Sequence, residues 1–78
     1  EEIMQKFWER FVLTQREGEV LEAILHSEEK AQKIAEELNL SRAALYRHIS
    51  SINEKTGTGS RIGLIQFYFS WEKEHRLG

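Results

Sequence analysis

One predicted helix in the middle of the sequence has apolar side chains on one face and potential nucleic-acid ligands on the other. Leu45, Ile49 and Ile52 recur at helical spacing and should be buried. The opposite face consists of Arg42, Ala43, Tyr46, Arg47, Ser50 and Glu54. Arginine can donate two hydrogen bonds to guanine, tyrosine can contact a phosphate or a thymine methyl group, and small residues allow close approach to a groove floor. This pattern indicates a surface suited to duplex DNA.

The charge of the chain is unevenly distributed, although the formal net charge is only −2. Residues 1–40 contain five basic and ten acidic side chains, residues 41–61 contain four basic and one acidic, and residues 62–78 contain two of each. Because DNA affinity depends on local neutralisation of phosphates, the positive segment 41–61 can bind DNA within an acidic protein. The acidic remainder argues against strong non-specific binding by a single chain.

The composition indicates one small domain. A chain of 78 residues that is 40% hydrophobic and 31% charged can form one core but not two. Cysteine is absent, and His26, His48 and His75 are too far apart in sequence for a local metal site, so we expect no metal and no disulfide. No long apolar run or signal-like segment is present, so we expect a cytoplasmic protein without membrane contact.

The spacing of apolar residues predicts an all-α chain. Proline is absent, and the single glycine-rich stretch, "TGTGS" at 56–60, predicts one conspicuous break between helices. Residues 1–12 should form an amphipathic N-terminal helix or linker, followed by a domain of residues 13–78. The apolar positions of this first helix are Ile3, Met4, Phe7, Trp8 and Phe11.

Capping residues predict where the other helices begin and end. Thr14, followed three residues later by Glu17, predicts a capping box at the start of the second helix. Ser41 is a good N-cap for the fourth helix, and Gly57 should end it in a left-handed conformation. The remaining predicted bounds are about 30–38 for the third helix, 42–55 for the fourth and 60–74 for the last.

The third and fourth helices, joined by a tight turn, are typical of a helix-turn-helix. "LTQREGEVL", followed by "KIAEELNLSRAALYRHISSINEKTGTGSR", resembles the LuxR/GerE-type helix-turn-helix domain, the output module of many bacterial response regulators. The family pattern LTxREx-EVL, EIAxxLxIS and TVKxHxxxIxxKLGVxxR matches from Leu13 to about Leu64. The resemblance implies a four-helix LuxR/GerE-like core with an additional N-terminal amphipathic helix. It also implies sequence-specific double-stranded DNA binding in bacterial transcriptional regulation, with helix 42–55 in the major groove.

The resemblance further implies roles for individual residues. Tyr46 occupies the base-contacting lysine position of the family, Arg47 follows it, and Ser50 is a third groove-facing position, so we expect these three to contact bases. Tyr46 in place of lysine and Ala44 in place of threonine remove a charge and a hydroxyl from the usual contact surface. The residues expected at the DNA backbone are Arg42, Ala43, Lys33, Lys55 and Arg61, the last matching the arginine that opens the final helix.

The last helix is expected to form a dimer interface. Its aromatic residues are difficult to bury in so small a domain unless the first and last helices pack on each other or on a second subunit. The resemblance implies homodimerisation through this helix, and we assign Phe67, Tyr68 and Trp71 to the interface. Because the chain starts at Glu1 rather than at a methionine, we also expect a longer protein, with a receiver or sensor domain upstream.

Alternative interpretations exist for several residues and for the whole chain. Exposed arginines are often only solvated, Tyr46 could pack within the domain, and Lys55 also suits a helix C-terminus. A protein-interaction or oligomerisation module that retains a helix-turn-helix shape is the alternative function. We predict no enzyme, catalytic residue or cofactor, because "GTG" lacks the context of a nucleotide site and no nucleophile arrangement is evident.

Overall fold

The computed structural model describes residues 2–77, without the side chains of Glu2 and Leu77, and the regular structure within that range is entirely helical. Glu1 and Gly78, at the ends of the predicted segments 1–12 and 13–78, lie outside the described residues. The helices are α1 (Glu2–Phe11), α2 (Gln15–Leu25), α3 (Ala31–Glu37), α4 (Arg42–Thr56) and α5 (Arg61–Leu77). The predicted all-α fold, with a helix-turn-helix core and an additional N-terminal helix, is confirmed.

The predicted caps are present at both helix starts. The Thr14 hydroxyl accepts the backbone N–H of Glu17 at 3.1 Å, and the Glu17 carboxylate accepts the backbone N–H of Thr14 at 3.0 Å. The Ser41 hydroxyl accepts the backbone N–H of Ala44 at 3.0 Å and starts α4. Gly57 ends α4 with a φ of +76°, a conformation that glycine adopts without steric cost. The capping residues therefore fix the ends of the helix that the sequence singled out.

Three helices differ slightly from their predicted bounds, and α4 does so only in ending at Thr56, one residue later than predicted. Lys30 is the N-cap of α3 but makes no side-chain capping bond, so α3 starts one residue later than expected and ends at Glu37. The last helix continues three residues past 74. There the ring of His75 stacks on Trp71 with centroids 3.7 Å apart, and Arg76 pairs with Glu72 at 3.2 Å. These contacts one turn apart stabilise the additional helical residues.

A single hydrophobic core includes residues of all five helices. The central α4 packs against α2, α3 and α5, and α1 packs against α5. The two predicted segments, 1–12 and 13–78, therefore share one core in the described part of the chain. The largest completely buried side chains are Phe7, Leu21, Ile24, Ile34, Leu45, Ile52, Leu64 and Val20. None of the described helices is long and apolar enough to cross a membrane.

The aromatic face of α5 is covered by α1 of the same chain. Phe7 is completely buried, and its ring centroid lies 6.1 Å from Phe67, 4.9 Å from Tyr68 and 5.1 Å from Trp71, in edge-to-face arrangements. Tyr68 is 3% exposed and Trp71 is 9% exposed. In this arrangement Tyr68 and Trp71 are core residues, so the structure does not present them to a second subunit as the sequence interpretation expected.

Candidate nucleic-acid interface

The outward face of α4 contains the residues that the sequence predicted for base contact. Leu45 and Ile52 are completely buried and Ile49 is 4% exposed, which turns the opposite side of the helix to solvent. Tyr46 remains 51% exposed, so it does not pack into the domain. The other exposed residues of this face are Arg42, Ala43, Arg47, Ser50 and Glu54. The structure thus brings the three predicted base-reading residues together on one surface.

An open depression runs along this face toward the turn that follows α4. One end of the depression is at Tyr46 and Arg47, in the N-terminal half of α4, and the other end is at Gly59, in the turn after the helix. Polar and small side chains predominate in it, as expected for a surface that meets another polar surface. The residues that line it are Ala43, Tyr46, Arg47, Ser50, Ser51, Asn53, Glu54, Thr58 and Gly59.

Three exposed cationic side chains, two on this face and one on α3, are available to a ligand. Arg42 is the first residue of α4, where the helix macrodipole disfavours a positive charge, so helix stability does not account for it. Within the described residues, Arg42 and Arg47 form no ion pair, and both are exposed. Lys33 is an exposed residue of α3, the helix that precedes the turn. These side chains can approach phosphates or bases without breaking an ion pair.

Lys55, which the sequence assigned to the DNA backbone, is engaged inside the chain. Its ammonium donates to Glu17 Oε1 at 2.7 Å and to the carbonyl oxygen of Val12 at 2.9 Å. Two of its three N–H donors are therefore used, so a phosphate contact would have to share the remaining donor or break these bonds. The predicted phosphate contact of Lys55 remains a prediction, and the contact seen is with α2 and the α1–α2 turn.

Arg61 also makes contacts within the chain. Its guanidinium donates to the carbonyl oxygens of Ser27 at 3.2 Å and Glu29 at 3.1 Å, both in the connection between α2 and α3. Arg61 therefore ties the start of α5 to that connection. The other N–H groups of the guanidinium are not used by these two bonds and could still bind a phosphate. The role of Arg61 at the DNA backbone therefore remains a prediction.

Glu17 is the one buried carboxylate of the described core, with 6% exposure. It accepts hydrogen bonds from the backbone N–H of Thr14 at 3.0 Å, from Lys55 at 2.7 Å and from the Ser51 hydroxyl at 2.5 Å. Burial by itself raises the pKa of this carboxyl, but the bonds from Lys55, Ser51 and Thr14 outweigh burial and lower the pKa to about 2. Glu17 is thus ionised throughout the physiological pH range.

The connection from Glu17 to α4 was not predicted from the sequence. The capping-box spacing identified Glu17 as the partner of Thr14 only. Ser51 and Lys55 are four residues apart and so share one side of α4, which was the available signal. Their partner lies 34 and 38 residues away in the chain, and its identity follows from tertiary packing alone.

Comparison with known proteins identifies a family for most of the chain. A family model described as "GerE: Bacterial regulatory proteins, luxR family" matches residues 11–68. The match includes α2, α3, α4 and the first half of α5, and it leaves out nearly all of α1. No curated protein and no solved structure shows a significant match. The position of α1 is therefore known from this structure rather than from relatives.

Proposed function

Since the chain belongs to the luxR family of bacterial regulatory proteins, a family of DNA-binding transcription regulators, we propose that it binds double-stranded DNA sequence-specifically, with α4 in the major groove. The observation that supports this most directly is the outward face of α4. It combines Arg47, which forms no ion pair among the described residues, with a half-exposed Tyr46 and the small Ser50 on a helix whose other side is buried in the core. That is the arrangement a recognition helix requires.

Base recognition is assigned to the middle of this face. The guanidinium of Arg47 can bind guanine O6 and N7 together, while Ser50 can donate to or accept from a base edge. Tyr46 presents a ring edge and a hydroxyl, which suit a thymine methyl group and a neighbouring acceptor. Replacement of the usual lysine by Tyr46 should alter the preferred sequence rather than the docking geometry.

Backbone contact is assigned to the residues at the rim of the face. Lys33 and Arg42 are exposed and form no ion pair in the described part of the chain, so they can bind phosphates, and Ala43 permits close approach of the helix start. Lys55 and Arg61 were expected at the backbone as well, but their bonds within the chain make them weaker candidates. With Lys33 and Arg42 each neutralising one phosphate, and Lys55 and Arg61 together contributing about one more, we expect about three phosphates to be neutralised per chain, which corresponds to a slope of log K against log salt of about −2.7.

A homodimer through the last helix is part of the proposal, but through a different face of α5 from the one first assigned. Ile62 is 69% exposed and Phe69 is 46% exposed. They are seven residues apart and share one side of the helix, with the partly buried Ile65 beside them. A second copy of the chain would cover these apolar side chains. Phe67, Tyr68 and Trp71 would then support the interface from inside.

The wider setting is proposed from family membership. Receiver or sensor domains precede this output module in many response regulators, so we propose an upstream domain of that kind and action in the cytoplasm. The alternative function, a protein-interaction module, has one observation in its favour: the exposed Ile62 and Phe69 could meet a different protein instead of a second copy.

A fluorescence anisotropy titration tests the proposed function. The protein is first used to select duplexes from a random pool, and binding to the selected duplex and to a random duplex is then measured over a range of salt. Arg47→Ala should weaken binding to the selected duplex by about 10-fold to 100-fold, the effect of losing one bidentate base contact. Arg10→Ala, which changes an exposed arginine of α1, is the matched control and should leave affinity unchanged.

The outcomes separate the two functions. Binding that weakens about 40-fold between 50 and 200 mM salt agrees with three phosphate contacts. Failure to select any sequence, together with no salt-dependent binding, would reject DNA recognition. Association of the protein with a partner that hardly responds to salt would support the interaction module instead.

A further inference from the structure

Three bonds from separate parts of the chain converge on the buried carboxylate of Glu17. One comes from the capped start of α2, and two come from α4, where the Ser51 hydroxyl reaches Oε2 at 2.5 Å and the Lys55 ammonium reaches Oε1 at 2.7 Å. Lys55 also donates to the carbonyl oxygen of Val12 in the turn between α1 and α2. The carboxylate thus joins the recognition helix to the rigid start of α2.

The two contacts on α4 are well placed to fix its orientation. Ser51 and Lys55 are one turn apart, about 6 Å along the axis, so the carboxylate is bonded to α4 at two positions on one side of the helix. Ser51 also lines the depression beside Ser50, the residue next to it in the chain. A rotation of α4 that moved Ser50 would also move Ser51, and so would strain the hydrogen bond between Ser51 and Glu17.

Apolar packing alone does not restrict rotation to the same degree. Leu45, Ile49 and Ile52 hold α4 against the core, but hydrophobic contact is non-directional. Side chains project about 5 to 6 Å from a helix axis, so a rotation of 10° moves their ends by about 1 Å. Recognition sites tolerate displacements of only about 0.5 Å. Directional bonds are therefore needed to place base-reading side chains.

We propose that Glu17 is a positioning residue for DNA recognition: it sets the rotation of α4 about its axis, and so places Tyr46, Arg47 and Ser50 against the bases. The inference rests on the proposed function, and it extends that function to a buried residue that never touches DNA. Glu17 contributes to sequence discrimination more than to general DNA affinity, because phosphate contacts from long, flexible side chains tolerate a small rotation and base contacts do not.

The test compares Glu17→Gln with Glu19→Gln, the same chemical change two residues along α2. Glu19 pairs with Arg16 at the surface at 2.8 Å, and among the described residues its hydrogen bonds go only to Arg16 and Gln15 of its own helix, so it is the matched control. Circular dichroism and urea denaturation identify conditions in which each variant is fully folded. Affinities for the selected duplex and for random duplex are then measured under those conditions.

The ratio of the two affinities is the readout, because a merely structural role would scale both by the folded fraction. Glu17→Gln should lower affinity for the selected duplex by about tenfold, the effect of losing one base contact, and affinity for random duplex by less than about twofold. Equal losses for both duplexes, or a ratio equal to that of Glu19→Gln, would overturn the proposal.

Ser51→Ala gives a second, independent measurement. This substitution removes the hydrogen bond between Ser51 and Glu17 and leaves the ion pair between Glu17 and Lys55 intact. The Ser51→Ala variant should therefore fold even if Glu17→Gln does not. A lowered ratio supports the proposal, and an unchanged ratio in this variant contradicts it. Failure of the proposed function is distinguishable, because the wild-type protein would then select no sequence before any variant is tested.

Discussion

Gly18→Ala should destabilise the protein although alanine is the better helix former. Gly18 lies inside α2, and the indole ring of Trp8 from α1 rests directly on its backbone. A Cβ atom added at Gly18 would lie 2.1 Å from Trp8 Cε2 and 2.2 Å from Trp8 Cζ2. Non-bonded carbon atoms are normally about 3.5 to 4.0 Å apart. The indole would have to move by more than about 1 Å, and it is part of the contact that holds α1 in place.

The magnitude follows from two opposed terms. Alanine in place of glycine stabilises a helix interior by about 1 kcal/mol. Overpacking costs about 1 to 3 kcal/mol, and so short a contact with a rigid ring corresponds to the upper end of that range. The net destabilisation should therefore be about 2 kcal/mol. For a domain of this size the melting temperature would fall by about 8 to 16 °C.

A double-mutant comparison isolates the cause. Urea denaturation followed by circular dichroism at 222 nm would be measured for Gly18→Ala in the wild type and in a Trp8→Ala background. Without the indole, the same substitution should stabilise the domain by up to about 1 kcal/mol, so its effect changes sign. Stabilisation in the wild type, or equal effects in both backgrounds, would refute the proposed contact between Trp8 and Gly18.

Three further predictions concern the α1–α5 contact and the Glu17 site. Phe7→Ala removes a completely buried ring and should lower the free energy of unfolding by about 3 to 5 kcal/mol, measured by urea denaturation. Because the pKa of Glu17 is lowered from 4.5 to about 2, its stabilising contribution is complete above pH 4.5 and is lost as pH falls toward 2. The free energy of unfolding should fall by about 3 kcal/mol over this pH range because of Glu17. In the Glu17→Gln variant this part of the pH dependence should be absent from acid titrations followed by circular dichroism. Lys55→Met should raise the pKa of Glu17 in an NMR titration and destabilise the fold by about 1 to 3 kcal/mol, because it leaves a buried carboxylate without its cation. An exposed control, Lys6→Ala, should change stability by less than about 0.5 kcal/mol. A Phe7→Ala effect no larger than that of the control, an unaltered acid profile in Glu17→Gln, or an unchanged Glu17 pKa in Lys55→Met would each contradict the corresponding contact.

Features that depend on neighbouring residues were predictable from the sequence, and features that depend on distant partners were not. Thr14 and Glu17 are three residues apart, so their capping box follows from local geometry. The aromatic residues of α5 required a cover, but the sequence could not distinguish the chain's own Phe7 from a second subunit. Either partner could bury Tyr68 and Trp71. In the structure Phe7 does so, because the short α1–α2 connection holds α1 against α5.

The same limit applies to charge, with a consequence for how binding must occur. Counting residues gives segment 41–61 four basic side chains, yet Lys55 and Arg61 are bonded within the chain. Of the cations expected at the DNA, Lys33, Arg42 and Arg47 form no ion pair among the described residues, and three are too few for tight binding by one chain at physiological salt. Two copies joined through α5 would double the phosphate contacts and bring the salt slope to about −5.4. The slope of log K against log salt depends on both the number of phosphate-binding cations per chain and the number of chains on the DNA. One salt titration therefore tests DNA contact and dimerisation together.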